Sequence, residues 1–243
     1  MINNLPLFYK ELIPLNSNLH SDWRTQTTDK ASWLSGQHAV PVLTEEFNKA
    51  HRFFPIIFSA TDKPVPLALM GMNEGVNVFV DSDGGVDRVR YIPAYVRRYP
   101  FLLARLSSEG DDLSLCLDPS SGLVGPSVDG EALFLNDEPS ERCRAILSFC
   151  EQFEIAAQKT SLFVDLLIEH DLLVDGELTI QRAGGEPSIY RGFRMVGDEK
   201  LQSLNGSSLK KLQNNGVLKL IHLHQSSLSI TSELFDEASL AAL

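Results

Sequence analysis

The first half of the chain alternates short apolar runs with turn residues, a pattern typical of β-strands joined by hairpins. Glycine and polar or acidic residues at 73–75 and 81–85 mark two of the turns. After the first run, Thr44 precedes a helical segment that Pro55 must end. The pattern therefore predicts a mixed or antiparallel sheet in this half, with strands at 39–43, 56–60, 65–72, 76–80 and 113–117.

Helical periodicity opens the second half. After Ser140, apolar residues recur at three- and four-residue intervals as far as Ala157. A second helical segment, 161–173, follows Thr160 directly. We therefore predict a helical hairpin in this half of the chain.

The remaining segments are shorter and mix both patterns. The pattern predicts strands at 177–181 and 188–196, and short helices that begin at Asp198 and Ser207. The run from Val217 to Leu223 fits either a strand or a helix, and we favour the strand. The order of helices and hairpins shows no βαβ rhythm, so the predicted fold class is α+β.

The whole chain, residues 1–243, is expected to form a single unit. Residues 119–139 carry several Gly, Pro and Ser residues and therefore read as a long loop. This loop is the candidate boundary between two sub-structures.

Composition limits the classes of partner. A chain of 243 residues with 43% hydrophobic residues can bury a substantial core. The net charge of −11 argues against non-specific binding to nucleic acid or anionic membrane, since neutralising phosphates requires clustered Lys and Arg. A signal-peptide pattern and a bilayer-length apolar run are both lacking. We expect a cytoplasmic protein without membrane insertion, with its three cysteines reduced.

An acidic loop precedes the most unusual segment of the chain. Asp81, Asp83 and Asp87 lie around Gly84 and Gly85, a composition that could supply several oxygens to a calcium ion. The same residue types, Asp and Gly, are also typical of a hairpin turn. The fifth and twelfth loop positions lack the acids that an EF-hand needs, so the hairpin turn is the favoured interpretation.

Arginine and tyrosine alternate directly after this loop. Two neighbouring arginines could hold a carboxylate or phosphate by bidentate hydrogen bonds. The alternative is that one arginine pairs with an acid of the loop and lies over an aromatic ring. If the segment binds a ligand, the candidate residues are Arg97, Arg98, Tyr91, Tyr95 and Tyr99.

A metal site is the second candidate. His20 and Asp22 have the HxD spacing of the two-histidine-one-carboxylate iron site, and side chains at i and i+2 share one face of a strand. His222 and His224 would also share a face if their segment is a strand. These four residues define a hypothetical iron-dependent oxygenase.

The sequence contains no nucleophile elbow, no P-loop lysine motif and no dinucleotide-binding fingerprint. Catalytic residues therefore stay unassigned, and we expect no cofactor unless the iron alternative holds.

Six segments along the chain form a distinctive ordered series. They are VPVLTEEFNKAHRFFPIIF (40–58), ALMGMNEGVNVFVDSDGGV (68–86), YIPAYVRRYPF (91–101), LCLDPSS (115–121), ALFLNDEPS (132–140) and GVLKLIHLHQSSLSI (216–230). This series resembles the SapC-like family of bacterial surface-layer-associated proteins, and YIPAYVRRYPF is its most specific member. One departure is Val86, where the family resemblance leads us to expect a tryptophan.

The resemblance implies a setting but no reaction. It places the chain among surface-layer systems, outer-membrane TonB-dependent receptors, flavin-dependent tryptophan-halogenase-like proteins and cupin-like oxygenase relatives. We therefore expect a non-catalytic accessory or binding protein of a peptide- or envelope-modifying system. Its partner would be a protein or peptide, such as a halogenase-like or cupin-like enzyme. The iron-dependent oxygenase and a small-anion sensor acting through Arg97 and Arg98 are the alternatives.

Overall fold

The computed structural model describes residues 5–86, 91–106, 112–180 and 188–232, which fold into short strands and helices. The helices are α1 (Phe47–Ala50), α2 (Ala94–Arg97), α3 (Glu141–Glu169), α4 (Asp198–Gln202), α5 (Gly206–Asn214) and α6 (Val217–Leu228). The strands are β1 (Ile13–Pro14), β2 (Arg24–Thr25), β3 (Ala39–Pro41), β4 (Ile56–Ser59), β5 (Pro66–Leu69), β6 (Phe101–Arg105), β7 (Leu113–Leu117), β8 (Val124–Gly125), β9 (Glu131–Ala132), β10 (Phe134–Leu135), β11 (Glu138–Pro139), β12 (Leu173–Asp175), β13 (Leu178–Ile180), β14 (Ser188–Tyr190) and β15 (Phe193–Val196).

The chain divides into two compact units. Unit one comprises residues 1–31 and 96–155, and unit two comprises residues 32–95 and 156–243. Helices α2 and α3 each contribute residues to both units.

Unit one is built on small antiparallel sheets. Strands β1, β7 and β6 form one sheet in that order, β8, β2 and β9 form another, and β10 pairs with β11. Apolar side chains from the strands meet the first half of α3 in a continuous core. The buried members of this core are Phe101, Leu117, Val124, Leu133, Phe134, Cys143 and Cys150.

Unit two contains a five-stranded antiparallel sheet with the order β12-β15-β4-β5-β3. Phenylalanine rings dominate the core beside it. The Phe163 ring of α3 lies 5.9 Å from the Phe47 ring and 6.3 Å from the Phe58 ring, measured between ring centroids. The Phe54 ring lies 4.8 Å from the Phe79 ring. Strands β13 and β14 form a separate two-stranded hairpin.

The predicted α+β class with antiparallel sheets is confirmed. The strands expected at 39–43, 56–60, 65–72 and 113–117 correspond to β3, β4, β5 and β7. The strand expected at 76–80 is wrong, since among the described residues this run forms only the isolated bridge between Val80 and Val86. The reason is Asn77, whose side-chain amide donates to the Leu34 and Gln37 carbonyls and so competes with ladder pairing.

The break predicted after Thr160 between two helices is wrong, because α3 runs unbroken from Glu141 to Glu169. The Thr160 hydroxyl donates to the Ala156 carbonyl at 2.8 Å, so this polar residue is accommodated inside the helix. The helical pair of the second half is formed by α5 and α6 instead, which pack together across a turn at Asn215 and Gly216.

The strand favoured for Val217–Leu223 is wrong as well, because this segment belongs to α6. Its buried residues are Val217, Ile221, His224 and Ser227, at helical intervals of three and four. The segment after Thr44 forms a 3-10 turn followed by α1, shorter than the predicted helix. No helix in the described part of the chain is long and apolar enough to cross a bilayer.

Candidate functional site

The acidic loop forms a tight turn. Oδ1 of Asp81 accepts hydrogen bonds from the backbone N–H groups of Asp83 at 2.9 Å and Gly85 at 2.7 Å. Gly84 has φ of +79°, a conformation that glycine adopts without strain. The carboxylate of Asp81 therefore closes its own turn, as the hairpin interpretation requires. Asp87 lies outside the described residues.

Tyr91 and the start of α2 are anchored in unit two by Glu46. Oε1 of this carboxylate accepts from the Tyr91 hydroxyl at 2.6 Å and from the Ala94 N–H at 2.7 Å. Oε2 accepts from the Leu43 N–H at 2.9 Å. Glu46 is only 6% exposed, so these three donors replace the water that a buried carboxylate has lost. Tyr95, one turn further, is buried.

Arg98 is a structural residue of unit one. Its side chain is 8% exposed, its Nη1 lies 3.6 Å from Oε1 of Glu154, and its guanidinium lies 4.1 Å from the Phe153 ring centroid. Burial raises the pKa of Glu154, and the positive charge of Arg98 opposes that rise. Arg98 thus combines an ion pair with a cation–π contact on α3.

Arg97 differs from Arg98 because its side chain is exposed. Its guanidinium lies 5.3 Å from the centroid of the Phe149 ring, also on α3. The aromatic support limits the positions that the side chain can take. Of the two neighbouring arginines, Arg97 is therefore the one whose charge reaches the surface.

Tyr99 belongs to a buried network around Asp118 in unit one. The Tyr99 hydroxyl is 3.4 Å from Oδ2 of Asp118, which also accepts from the Lys10 N–H at 2.8 Å. Ser120 donates to Oδ1 through its N–H and its hydroxyl, at 2.9 and 2.6 Å. Burial, and then the charge of Asp118, raise the pKa of Tyr99 to about 12. The tyrosine therefore stays protonated at neutral pH.

His20 and Asp22, the proposed metal ligands of unit one, are placed by local contacts. Nδ1 of His20 accepts from the Asn16 N–H at 3.0 Å, and the ring packs 4.4 Å from the Trp23 ring. Burial lowers the pKa of His20. The side chain of Asp22 is exposed. Because Nδ1 is engaged, only Nε2 of His20 could face a metal.

The two histidines of α6, in unit two, lie in different surroundings because the segment is helical. His222 is exposed, and its Nδ1 lies 3.2 Å from the Gln225 side chain. His224 is fully buried: Nδ1 lies 2.7 Å from the Ile56 carbonyl, to which it donates, and Nε2 accepts from the Val196 N–H at 3.1 Å. Both nitrogens of His224 thus hold backbone groups. Within the described ranges, no three His, Cys, Asp or Glu side chains are grouped to hold a metal.

Sequence reasoning missed Glu46, Asp118 and Glu154. Each is an acid whose importance depends on partners distant along the chain, namely Tyr91 for Glu46, Lys10 for Asp118 and Arg98 for Glu154. A signal existed for Glu46, since an acid three residues after Leu43 fits the second half of a capping box. Asp118 also precedes a proline, as helix-capping residues do.

Comparison with known proteins identifies one relationship. The family model described as SapC matches residues 15–234 of the chain. The match includes the arginine–tyrosine segment and the residues around Glu46, Asp118 and His224. No curated protein and no solved structure matches the chain.

Proposed function

The chain belongs to the SapC family, and on this premise we propose that it is a non-catalytic binding protein of a bacterial peptide- or envelope-modifying system. The resemblance to SapC-like proteins suggests the setting, in which TonB-dependent receptors and halogenase-like or cupin-like enzymes occur. The proposed partner is one of those two enzymes. The contact would be made through the arginine of segment 91–101 that reaches the surface.

The observation that carries the proposal is that the side chain of Arg97 is exposed, whereas those of Arg98 and Tyr99 beside it are buried. Tyr91 is bonded to Glu46, Arg98 is paired with Glu154, and Tyr99 lies against Asp118. The contacts of Arg98 and Tyr99, which belong to the same unit as Arg97, hold the backbone that follows Arg97 in a defined place. The exposed guanidinium is thus presented from a rigid support, which reduces the entropy lost when it binds.

The chemistry of Arg97 indicates what it would bind. A guanidinium forms paired hydrogen bonds to a carboxylate, and arginine is enriched where proteins contact one another. The Phe149 ring beside Arg97 is only half-buried and offers an apolar contact next to the charge. An acidic side chain on the partner, flanked by an apolar one, fits this pair.

Calorimetric titration of the purified chain with a purified halogenase-like or cupin-like enzyme from the same organism tests the proposal. We expect saturable binding that Arg97→Ala weakens at least ten-fold. Arg52→Ala, which removes another exposed arginine, should bind as the unmodified chain does. If neither enzyme binds, the proposed partner is wrong. If Arg97→Ala binds normally, the proposed contact is wrong.

A small-anion sensor is the second candidate, favoured by the same exposed guanidinium. Binding of inorganic phosphate or acetate at Arg97 would raise the melting temperature by mass action. Arg97→Ala should remove that rise and Arg52→Ala should retain it. An unchanged melting temperature at every phosphate and acetate concentration would refute the sensor.

A further inference from the structure

The outward face of α3 carries a line of large apolar side chains. Leu147 is 36% exposed, Ile155 is 54% exposed and Leu162 is 64% exposed. They follow one another at intervals of eight and seven residues. Two turns of an α-helix take about 7.2 residues, so all three side chains lie along one face. Because α3 is a single continuous helix, the helix geometry alone sets this spacing.

Polar residues are arranged symmetrically along this line. Arg144 precedes Leu147 by three residues, and Asp165 follows Leu162 by three. Both charged side chains are exposed. Glu151 and Gln158 occupy the matching inner positions, four residues inward from each leucine, and both are exposed. Reversing the direction of the helix therefore exchanges Leu147 with Leu162 and the cation Arg144 with the anion Asp165, and it leaves Ile155 within one residue of the centre.

We propose that two copies of the chain associate through this face of α3, with the two helices antiparallel. In that arrangement Leu147 of one copy faces Leu162 of the other. Arg144 of one copy faces Asp165 of the other, and the contact occurs twice because the interface is two-fold symmetric. The Ile155 side chains of the two copies meet near the symmetry axis.

A parallel arrangement is disfavoured by the same residues. Each position would then face its own copy, so Arg144 would face Arg144 and Asp165 would face Asp165. Glu151 would also face Glu151. Like charges that face one another across an interface repel. In the antiparallel arrangement, the Arg144 and Asp165 side chains of the two copies form two pairs of opposite charge instead.

The size and polarity of the face predict a reversible dimer. The stretch from Arg144 to Asp165 is about 32 Å long, or about six helical turns. Glu151 and Gln158 interrupt its apolar line, and each copy carries a net charge of −11. Physiological salt screens that charge beyond about 8 Å, so the local pairs decide the register. We expect a monomer–dimer equilibrium that responds to protein concentration.

Sedimentation equilibrium of the full chain over a range of concentrations measures this equilibrium. Ile155→Asp should raise the dissociation constant at least ten-fold, because it places a charge at the symmetry axis. Ile168→Asp is the matched control: Ile168 is 46% exposed on the same helix but lies about 140° around it from Ile155. This control should dimerise as the unmodified chain does.

A charge exchange distinguishes the two directions. Arg144→Glu should weaken the dimer several-fold, and adding Asp165→Arg in the same chain should restore it, because the opposite pairs are re-formed. A parallel dimer would not be restored, since its like charges would remain. A chain that is monomeric at all concentrations, a dimer unaffected by Ile155→Asp, or a failure of the double variant to recover would each overturn the proposal. Circular dichroism of each variant verifies the fold, which these exposed positions should leave intact.

Discussion

The Tyr91 hydroxyl donates a 2.6 Å hydrogen bond to Oε1 of Glu46, a carboxylate that lies inside unit two. The two residues are 45 positions apart in the sequence. The same oxygen accepts from the Ala94 N–H, so one side chain fixes both the tyrosine and the start of α2. Segment 91–101 is thus anchored by an acid that lies outside it.

Replacing either partner of this hydrogen bond should destabilise the protein. Tyr91→Phe removes one donor to a charged acceptor and should lower the free energy of unfolding by about 2 kcal/mol. Glu46→Gln should lower the free energy of unfolding by at least as much. The Leu43 N–H donates to Oε2 of Glu46, and the amide nitrogen of Gln at that position would be a second donor facing it. Urea denaturation measures both variants. Equal stability of Tyr91→Phe and the unmodified chain would contradict the anchoring role.

The buried His224 should make stability depend on pH. Burial lowers its pKa to about 4, from an ordinary value of 6.5. Between these values the unfolded chain binds a proton at this histidine and the folded chain does not, so stability falls as the pH falls through this window. The full loss is about 3 kcal/mol, since one pKa unit corresponds to about 1.4 kcal/mol.

Comparison of variants isolates this histidine from other titrating groups. Between pH 7 and pH 5, the unfolding free energy of His224→Gln should change less than that of the unmodified chain. His222→Ala, at an exposed histidine of the same helix, should retain the original pH dependence. Identical pH profiles for His224→Gln and the unmodified chain would refute the assignment.

The neighbouring arginines should respond very differently to truncation. Arg98→Ala leaves Glu154 without its ion-pair partner and removes the contact with Phe153, so we expect a loss of about 2–4 kcal/mol in unfolding free energy. Arg97→Ala removes an exposed side chain and its contact with the Phe149 ring, and it should cost less, about 1 kcal/mol or below. Thermal or urea unfolding of the two variants measures the contrast. A larger loss for Arg97→Ala than for Arg98→Ala would show that Arg97, and not Arg98, is the structural residue.

The three cysteines should be slow to react in the folded protein. Cys116, Cys143 and Cys150 are all buried free thiols, and burial raises the pKa of each, that of Cys150 to about 12. A thiol reacts as its thiolate, so burial and raised pKa act in the same direction. A chromogenic disulfide reagent should label them slowly in buffer and rapidly in denaturant. Rapid labelling of one thiol in buffer would show that it is accessible.

Metal analysis separates the binding-protein proposal from the oxygenase hypothesis. Protein purified without a chelating tag should contain far less than one iron per chain if the binding-protein proposal holds. Stoichiometric iron that disappears in His20→Ala would instead establish the oxygenase hypothesis. His222→Ala serves as the second test, because the hypothesis requires a histidine from α6 whose nitrogens can bind a metal.

Local patterns predicted the central strands but failed where distant contacts decide the structure. The runs that became β4 and β7 are apolar and bounded by turn residues, which suffices for strands. The run from Val217 alternates apolar and polar residues well enough for a strand. It is helical because burying His224 satisfies the Ile56 carbonyl and the Val196 N–H, neither of which is visible in the local sequence.

The candidate site shows the same limit. Arg97 and Arg98 are adjacent and chemically identical, so no local pattern distinguishes the exposed one from the buried one. The distinction comes from Phe149, Phe153 and Glu154, more than fifty positions later in the sequence. The turn at Asp81 was predictable because its hydrogen bonds stay within five residues.

The backbone of Ile56 depends on a part of the chain that is made much later. Its N–H donates to the Ser227 hydroxyl and its carbonyl accepts from His224, across separations of 171 and 168 residues. During synthesis on the ribosome, β4 therefore emerges long before α6 exists to satisfy these two groups. The Ile56 end of β4 must remain open to solvent or to a chaperone until translation passes Ser227. Chains that end just before Ser227 should therefore aggregate, although they contain every strand of the sheet. Translation of mRNA truncated before the Ser227 codon would produce such chains.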